Sequence, residues 1–170
     1  VEALKNNVQK FINSSSNDSS KEVYKIYDQI NSILVADNSM DNIQYKENFS
    51  SIQNHLSKYF NTFTELEQLV KARRDIKNKK MNLIQEIETD IDTYFSKKND
   101  NENIHFQYEL HASINTANQH TQFYFNTLDV KYIKQSKQSF YKVKKQIAKL
   151  IEIENNKQLK SDLILLKEKT

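Results

Sequence analysis

Neither glycine nor proline occurs anywhere in the 170 residues. Average usage would supply about 20 of the two together. Glycine provides the positive-φ positions of tight hairpins and phosphate-cradling loops; proline punctuates helix ends and turns. A chain without either presents no glycine-rich dinucleotide fingerprint, Walker loop or nucleophile elbow. It is therefore expected to be helical, to have no catalytic residues, and to work through its surface.

Composition sharpens this. Hydrophobic residues make up 37% of the chain and mean hydropathy is −0.81, so the core should consist of narrow apolar stripes along helices. Nine Tyr and nine Phe supply large apolar area per residue. No window approaches 18 apolar residues, so no membrane span is expected. The start, Val1-Glu-Ala-Leu-Lys5, does not read as a signal peptide. Cysteine is absent, which excludes disulfides, thiolate metal sites and cysteine nucleophiles. Lysine numbers 23 against two arginines, and Asn numbers 20 against six Ala. Those biases follow A/T-rich codons, so the source genome is expected to be A/T-rich.

Apolar residues recur at helical spacing almost throughout. Leu4, Val8, Phe11 and Ile12 mark a first helix, and Asn13 to Ser20 reads as a solvated linker. Ser19 and Glu22 form a capping box for a helix carrying Val23, Ile26, Tyr27, Ile30, Ile33 and Leu34. Residues 37–41 break the pattern before a third helix with Phe49, Ile52, Leu56, Tyr59, Phe60 and Phe63. Thr64 and Glu67 form a second capping box, opening a run to about residue 96 with Leu66, Leu69, Val70, Ile84, Ile87, Ile91, Tyr94 and Phe95. Residues 97–103 are the clearest loop. A fifth helix follows with Leu110, Ile114 and Ala117, then a sixth with Val130, Ile133, Phe140, Val143 and Ile147. After Asn156 a short helix offers Leu159, Leu163 and Leu166. Short connections favour antiparallel neighbours, so the expected fold is a single-domain, all-α, antiparallel bundle of about five to seven helices. Residues 1–20 form an N-terminal helix and linker, and residues 21–170 the bundle.

The four histidines contain no i,i+4 pair, so no helical His-x-x-x-His metal unit exists. Glu102 and His105 make a single Glu-x-x-His, where di-metal bundles need two with further inward carboxylates. Surface histidines are the better reading, and neither a metal nor another cofactor is expected.

Two basic stretches stand out. The first is Lys71, Arg73, Arg74, Lys77, Lys79 and Lys80, relieved only by Asp75. Arg73, Lys77 and Lys80 fall where the apolar stripe would otherwise continue. Charges are rarely buried unpaired, so this segment should project past the bundle or bend at a connection. It is the first candidate contact site; an ordinary helix–helix connection is the competing reading. The second lies between Asp129 and Glu152, with seven lysines and no acid. At 100° per residue, Lys131, Lys134, Lys142, Lys145 and Lys149 fall within about 80° of one another, away from the apolar stripe. An anionic or acidic-protein partner would suit this ridge, against the alternative of a merely solvated face. Tyr132 and Tyr141 are conceivable stacking residues for a nucleic acid. A formal charge of only +3 and the lack of any nucleic-acid-binding motif argue against that partner.

Tyr108-Glu-Leu-His-Ala-Ser-Ile-Asn115, Asp129, Phe140-Tyr-Lys-Val-Lys-Lys-Gln-Ile-Ala-Lys-Leu150 and Gln158-Leu-Lys-Ser-Asp-Leu-Ile-Leu-Leu-Lys167 carry a resemblance. They resemble the aromatic-Ser-Leu helix start and the Leu/Lys-rich C-terminal helices of the CspA-like paralogous family, plasmid-encoded outer-surface lipoproteins of Lyme-disease spirochaetes. The resemblance implies a non-enzymatic surface protein of the bacterial outer membrane, tethered by a lipid anchor upstream of Val1, with residues 1–20 nearest the tether. It also implies a host protein partner, complement or matrix, in adhesion or immune evasion. The CspA-like binder dimerises through a long C-terminal helix; the short helix after Asn156 points here to a monomer or weak homodimer. The rival expectation is a helical scaffold module from an A/T-rich eukaryotic parasite, docking onto another helical protein.

Overall fold

The computed structural model describes residues 2–14, 16–37, 43–98 and 104–170. Among these the chain forms six helices and no strand: α1 (Glu2–Ser14), α2 (Asn17–Asp37), α3 (Ile43–Lys98), α4 (Ile104–Thr127), α5 (Val130–Ile153) and α6 (Lys157–Lys169). The protein is all-α. The expected breaks at 37–41 and 97–103 lie mostly outside the described residues.

The helices form two compact units, Val1–Asp75 and Ile76–Thr170, with the division inside α3. The expected boundary after residue 20 lies within the first unit. In that unit, Leu4 and Phe11 of α1, Val23 of α2, and Phe63 and Val70 of α3 form one buried cluster. Three contacts fix the pairing of α2 with α3: Ser20 with Glu67, Tyr24 with Phe63, and Tyr27 stacked on Phe60 at 3.9 Å. Partner numbers fall on α3 as they rise on α2, so the two run antiparallel.

The second unit is an up-and-down bundle of the end of α3 with α4, α5 and α6. Asp92 meets His111 and Lys77 meets Asn126, which sets α4 antiparallel to α3. Gln146 meets Glu109 and Ser136 meets Thr121, which sets α5 antiparallel to α4. Asp162 meets Lys97 and Lys169 meets Asp90, which sets α6 antiparallel to α3. Ile87, Ile91, Leu110, Ile114, Val143, Ile147, Leu150 and Leu163 fill its centre.

Several local expectations are corrected. Asn13 to Ser20 is not a linker: α1 runs through Ser14, α2 starts at Asn17, and Ser20 is buried. The cap of α2 is Ser16, whose Oγ accepts from the Ser19 amide at 3.1 Å, so Ser19 already stands in the first turn. Thr64 and Glu67 begin no helix; they lie mid-way along the 56-residue α3. Thr64 Oγ1 donates to the Phe60 carbonyl at 3.0 Å, and no glycine or proline is present to end the run. Ile33, Leu69 and Val130 are 62%, 69% and 58% exposed. On α3 the inward position beside Val70 goes instead to Glu67, which answers two hydroxyls from α2.

Without glycine, the α4–α5 turn uses leucine where a left-handed residue is required. Leu128 has φ 58°, and its amide donates to the Tyr124 carbonyl at 2.6 Å, closing the end of α4. Asp129 then caps α5 by accepting from the Lys131 amide at 2.9 Å. At the α5–α6 turn, Asn156 Oδ1 accepts from the amides of Gln158 and Leu159. Asp and Asn caps thus do at these turns what punctuating residues do elsewhere.

Candidate functional site

The two basic stretches are arranged differently. Residues 71–80 span the division between the units, within continuous helix. From Lys71 to Leu83 no residue of α3 is buried, so the core stripe stops at Val70 and resumes at Ile84. Charges at core-phase positions mark this gap in the sequence, and the helix does not end there. The basic side chains wind around the helix instead of sharing a face. Lys71 pairs with Glu67 at 3.2 Å, and half-buried Lys77 donates to Asn126 Oδ1 at 3.3 Å. Arg73 is half-buried; Arg74, Lys79 and Lys80 are exposed. Two of the six therefore serve intramolecular contacts.

The ridge on α5 does form one face. Ser136, Ser139, Val143, Ile147 and Leu150 are buried against the bundle, while Lys131, Lys134, Lys142, Lys145 and Lys149 are all exposed. Lys131 alone of these has a carboxylate partner among the described residues, Asp129 at 3.6 Å. Gln138 and Tyr141 complete the face, and Tyr141 is 59% exposed. Lys145 Nζ lies 4.7 Å from the Tyr141 ring centroid. Half-buried Tyr132 stacks on Phe123 at 5.2 Å and has Lys131 Nζ 4.7 Å from its centroid. Both tyrosines considered for base stacking are thus engaged by neighbours.

What holds α5 in place was not visible from periodicity. Thr121 Oγ1 donates to the Ala117 carbonyl at 2.8 Å and accepts from Ser136 Oγ at 2.7 Å. Small side chains at 117, 121, 136 and 139 let α4 and α5 approach closely, and the hydroxyls find partners inside the contact. The far end of α5 is fixed by Glu154, which is 5% exposed. Its carboxylate accepts from Tyr94 Oη at 2.7 Å, Lys98 Nζ at 3.0 Å and the Asn156 amide at 2.9 Å. Burial pushes its pKa up, but these three donors prevail and hold it at about 2.

Glu67 plays the same part in the first unit. It accepts from Ser20 Oγ, from Tyr24 Oη at 2.8 Å and from Lys71. Burial again opposes ionisation, yet the hydroxyls and Lys71 bring its pKa below the ordinary value. Burial together with the neighbouring carboxylate raises that of Tyr24. The signal in sequence was a Glu on an apolar helix face, which is costly to bury without donors.

Among the described residues no group of three or more His, Asp or Glu is placed to hold a metal ion. His105 meets Glu109 at 3.0 Å and His111 meets Asp92 at 2.9 Å, both as two-member surface pairs; Glu102 lies outside the described residues. No described helix is long and apolar enough to cross a membrane. Comparison with family models, curated proteins and solved structures finds no match.

Proposed function

We propose that this protein is a non-enzymatic binding module displayed on a bacterial surface, where it contacts a host matrix or complement protein through the exposed face of α5. The observation that carries this reading is the acid-free row of exposed lysines on a helix whose other side is fixed in a bundle. A rigid element presents charge without loss of backbone entropy on binding. Opposite charge on a partner raises the encounter rate and selects against basic competitors. The resemblance of the segment from Tyr108 onward to spirochaetal outer-surface lipoproteins supports the location and the host partner. The segment 71–80 is the secondary candidate, since its charges point in several directions and Lys71 and Lys77 are already engaged.

Immobilised protein should capture a host matrix or complement protein from serum or matrix extract at physiological salt. Charge reversal at Lys142, Lys145 and Lys149 should abolish that capture, while reversal at Arg73, Arg74 and Lys79 leaves it. Capture of neither class of protein, or capture indifferent to the α5 reversal, would overturn the reading.

A further inference from the structure

We infer that the lysine ridge of α5 binds a linear sulfated polysaccharide, the kind of chain carried by matrix proteoglycans. The inference rests on α5 being the contact face and goes further by naming the chemistry that meets it.

The shape of the face comes first. α5 has 24 residues, so it is about 36 Å long. Seven lysines decorate it before its only acid, Glu152, and the five on the exposed face, from Lys131 to Lys149, have a mean spacing of about 7 Å along the axis. Lys134, Gln138, Tyr141, Lys145 and Lys149 follow one another at steps of three or four residues, which makes a single row of neighbouring side chains. A row of this kind matches an extended polymer bearing anionic groups at intervals.

The composition of the row then separates polymers from folded partners. Protein–protein interfaces are depleted of lysine and rely on buried aromatic or arginine anchors. On this face the large apolar groups are Tyr141, with Lys145 over its ring, and Ile153 at the end of the helix. Arginine, whose planar fork suits bidentate carboxylate pairing, is absent from α5. Lysine ammonium groups are flexible point charges suited to scattered single anions.

Nucleic acid fits less well. A single strand requires aromatic faces for its bases, and Tyr132 is already engaged by Phe123, His120 and Lys131. Duplex DNA carries about one charge per 1.7 Å of axis, roughly four times the density of this row. A glycan with sulfates on successive sugars has separated charges and no bases to stack. Gln138, lying within the row, offers an amide for sugar hydroxyls.

The test uses the full chain and immobilised heparin as the sulfated probe. Fully desulfated heparin, duplex DNA and polyglutamate serve as comparison surfaces. Binding to heparin is expected at physiological salt, with affinity falling steeply as salt rises. Lys142→Glu, Lys145→Glu and Lys149→Glu together should weaken it by at least about tenfold and flatten the salt dependence by about two to three ion equivalents. A control with Lys5→Glu, Lys10→Glu and Lys25→Glu makes the same change in net charge on the first unit and should weaken binding by less than about threefold. Circular dichroism of both variants checks that their helix content is unchanged.

Equal binding to desulfated heparin, DNA or polyglutamate would overturn the inference, as would an equal loss in the control. Capture of a host protein that depends on α5 but survives enzymatic removal of its glycans would defeat the inference and leave the proposed function standing. Heparin binding without capture of any host protein would do the reverse.

Discussion

Tyr94 of α3 donates its hydroxyl to Glu154 Oε2 at 2.7 Å, joining residues 60 apart in sequence at the turn between α5 and α6. Lys98 adds an ion pair to the same oxygen at 3.0 Å, and the Asn156 amide binds Oε1. One carboxylate thus closes the end of α5, sets the start of α6 and ties both to α3. This node is structural, and it makes the second unit sensitive to acid.

The Glu154 carboxyl titrates near 2 in the folded chain, below its ordinary 4.5. The stabilisation it supplies is therefore fully present above about pH 5 and is lost as pH falls toward 2. The shift corresponds to about 3 kcal/mol at neutral pH. Urea denaturation of the wild type should show this loss between about pH 5 and pH 2. Glu154→Gln should be less stable at pH 7 by a similar amount, about 3 kcal/mol, because Lys98 is left without its charge partner. The variant should also lose much of the acid-dependent step.

Leu128 occupies the left-handed region at φ 58° with its side chain 50% exposed. A side chain with a Cβ is disfavoured there by about 1 kcal/mol or more relative to glycine. Leu128→Gly should stabilise the α4–α5 turn by about 1 kcal/mol, raising the midpoint of thermal unfolding of the second unit by about 4–8 °C. Leu128→Ala keeps the Cβ and should bring no such gain. Calorimetry of the two variants separates backbone strain from loss of the leucine side chain.

The two units have separate cores and separate buried carboxylates. Glu67→Ala leaves the Ser20 and Tyr24 hydroxyls without their acceptor and should destabilise the first unit by about 2–3 kcal/mol. Amide hydrogen exchange should accelerate in the helical residues of 2–75 and stay unchanged in 76–170. A fragment of residues 76–170 should fold by itself to a cooperatively melting helical bundle. Uniform acceleration across the whole chain in Glu67→Ala would show instead that the units unfold together.

Much of this architecture was legible in the sequence. The apolar repeats around Ile87, Ile114, Val143 and Leu163 identify the core of the second unit, because only one face of a helix can be shielded at a time. The charges at Arg73, Lys77 and Lys80 mark the stretch of α3 with no buried residue. The face shared by Lys134, Lys145 and Lys149 follows from helical geometry alone. Serines and threonines misled because one residue type serves several ends: Thr64 bonds the preceding turn, and Ser20 is buried against Glu67. Local sequence does not distinguish a cap from a buried hydroxyl, since the same group can accept from a backbone amide or donate to a carbonyl or carboxylate.

The absence of glycine and proline by itself determined a chain of helices with polar caps. No glycine was present to favour tight hairpins and no proline ring to impose breaks, and period-3.6 patterning left helices as the means of burying apolar area. The tertiary structure alone decided which helices pair, where the chain divides into two units, and which charged groups are already engaged. Lys98 spends its charge on Glu154, 56 positions away, whereas Lys134, Lys142 and Lys149 face solvent without a carboxylate partner among the described residues. The physical reason is range. Helix formation and capping depend on neighbours within a turn or two, while burial of a carboxylate or exposure of a lysine depends on residues brought together from 40 to 60 positions away.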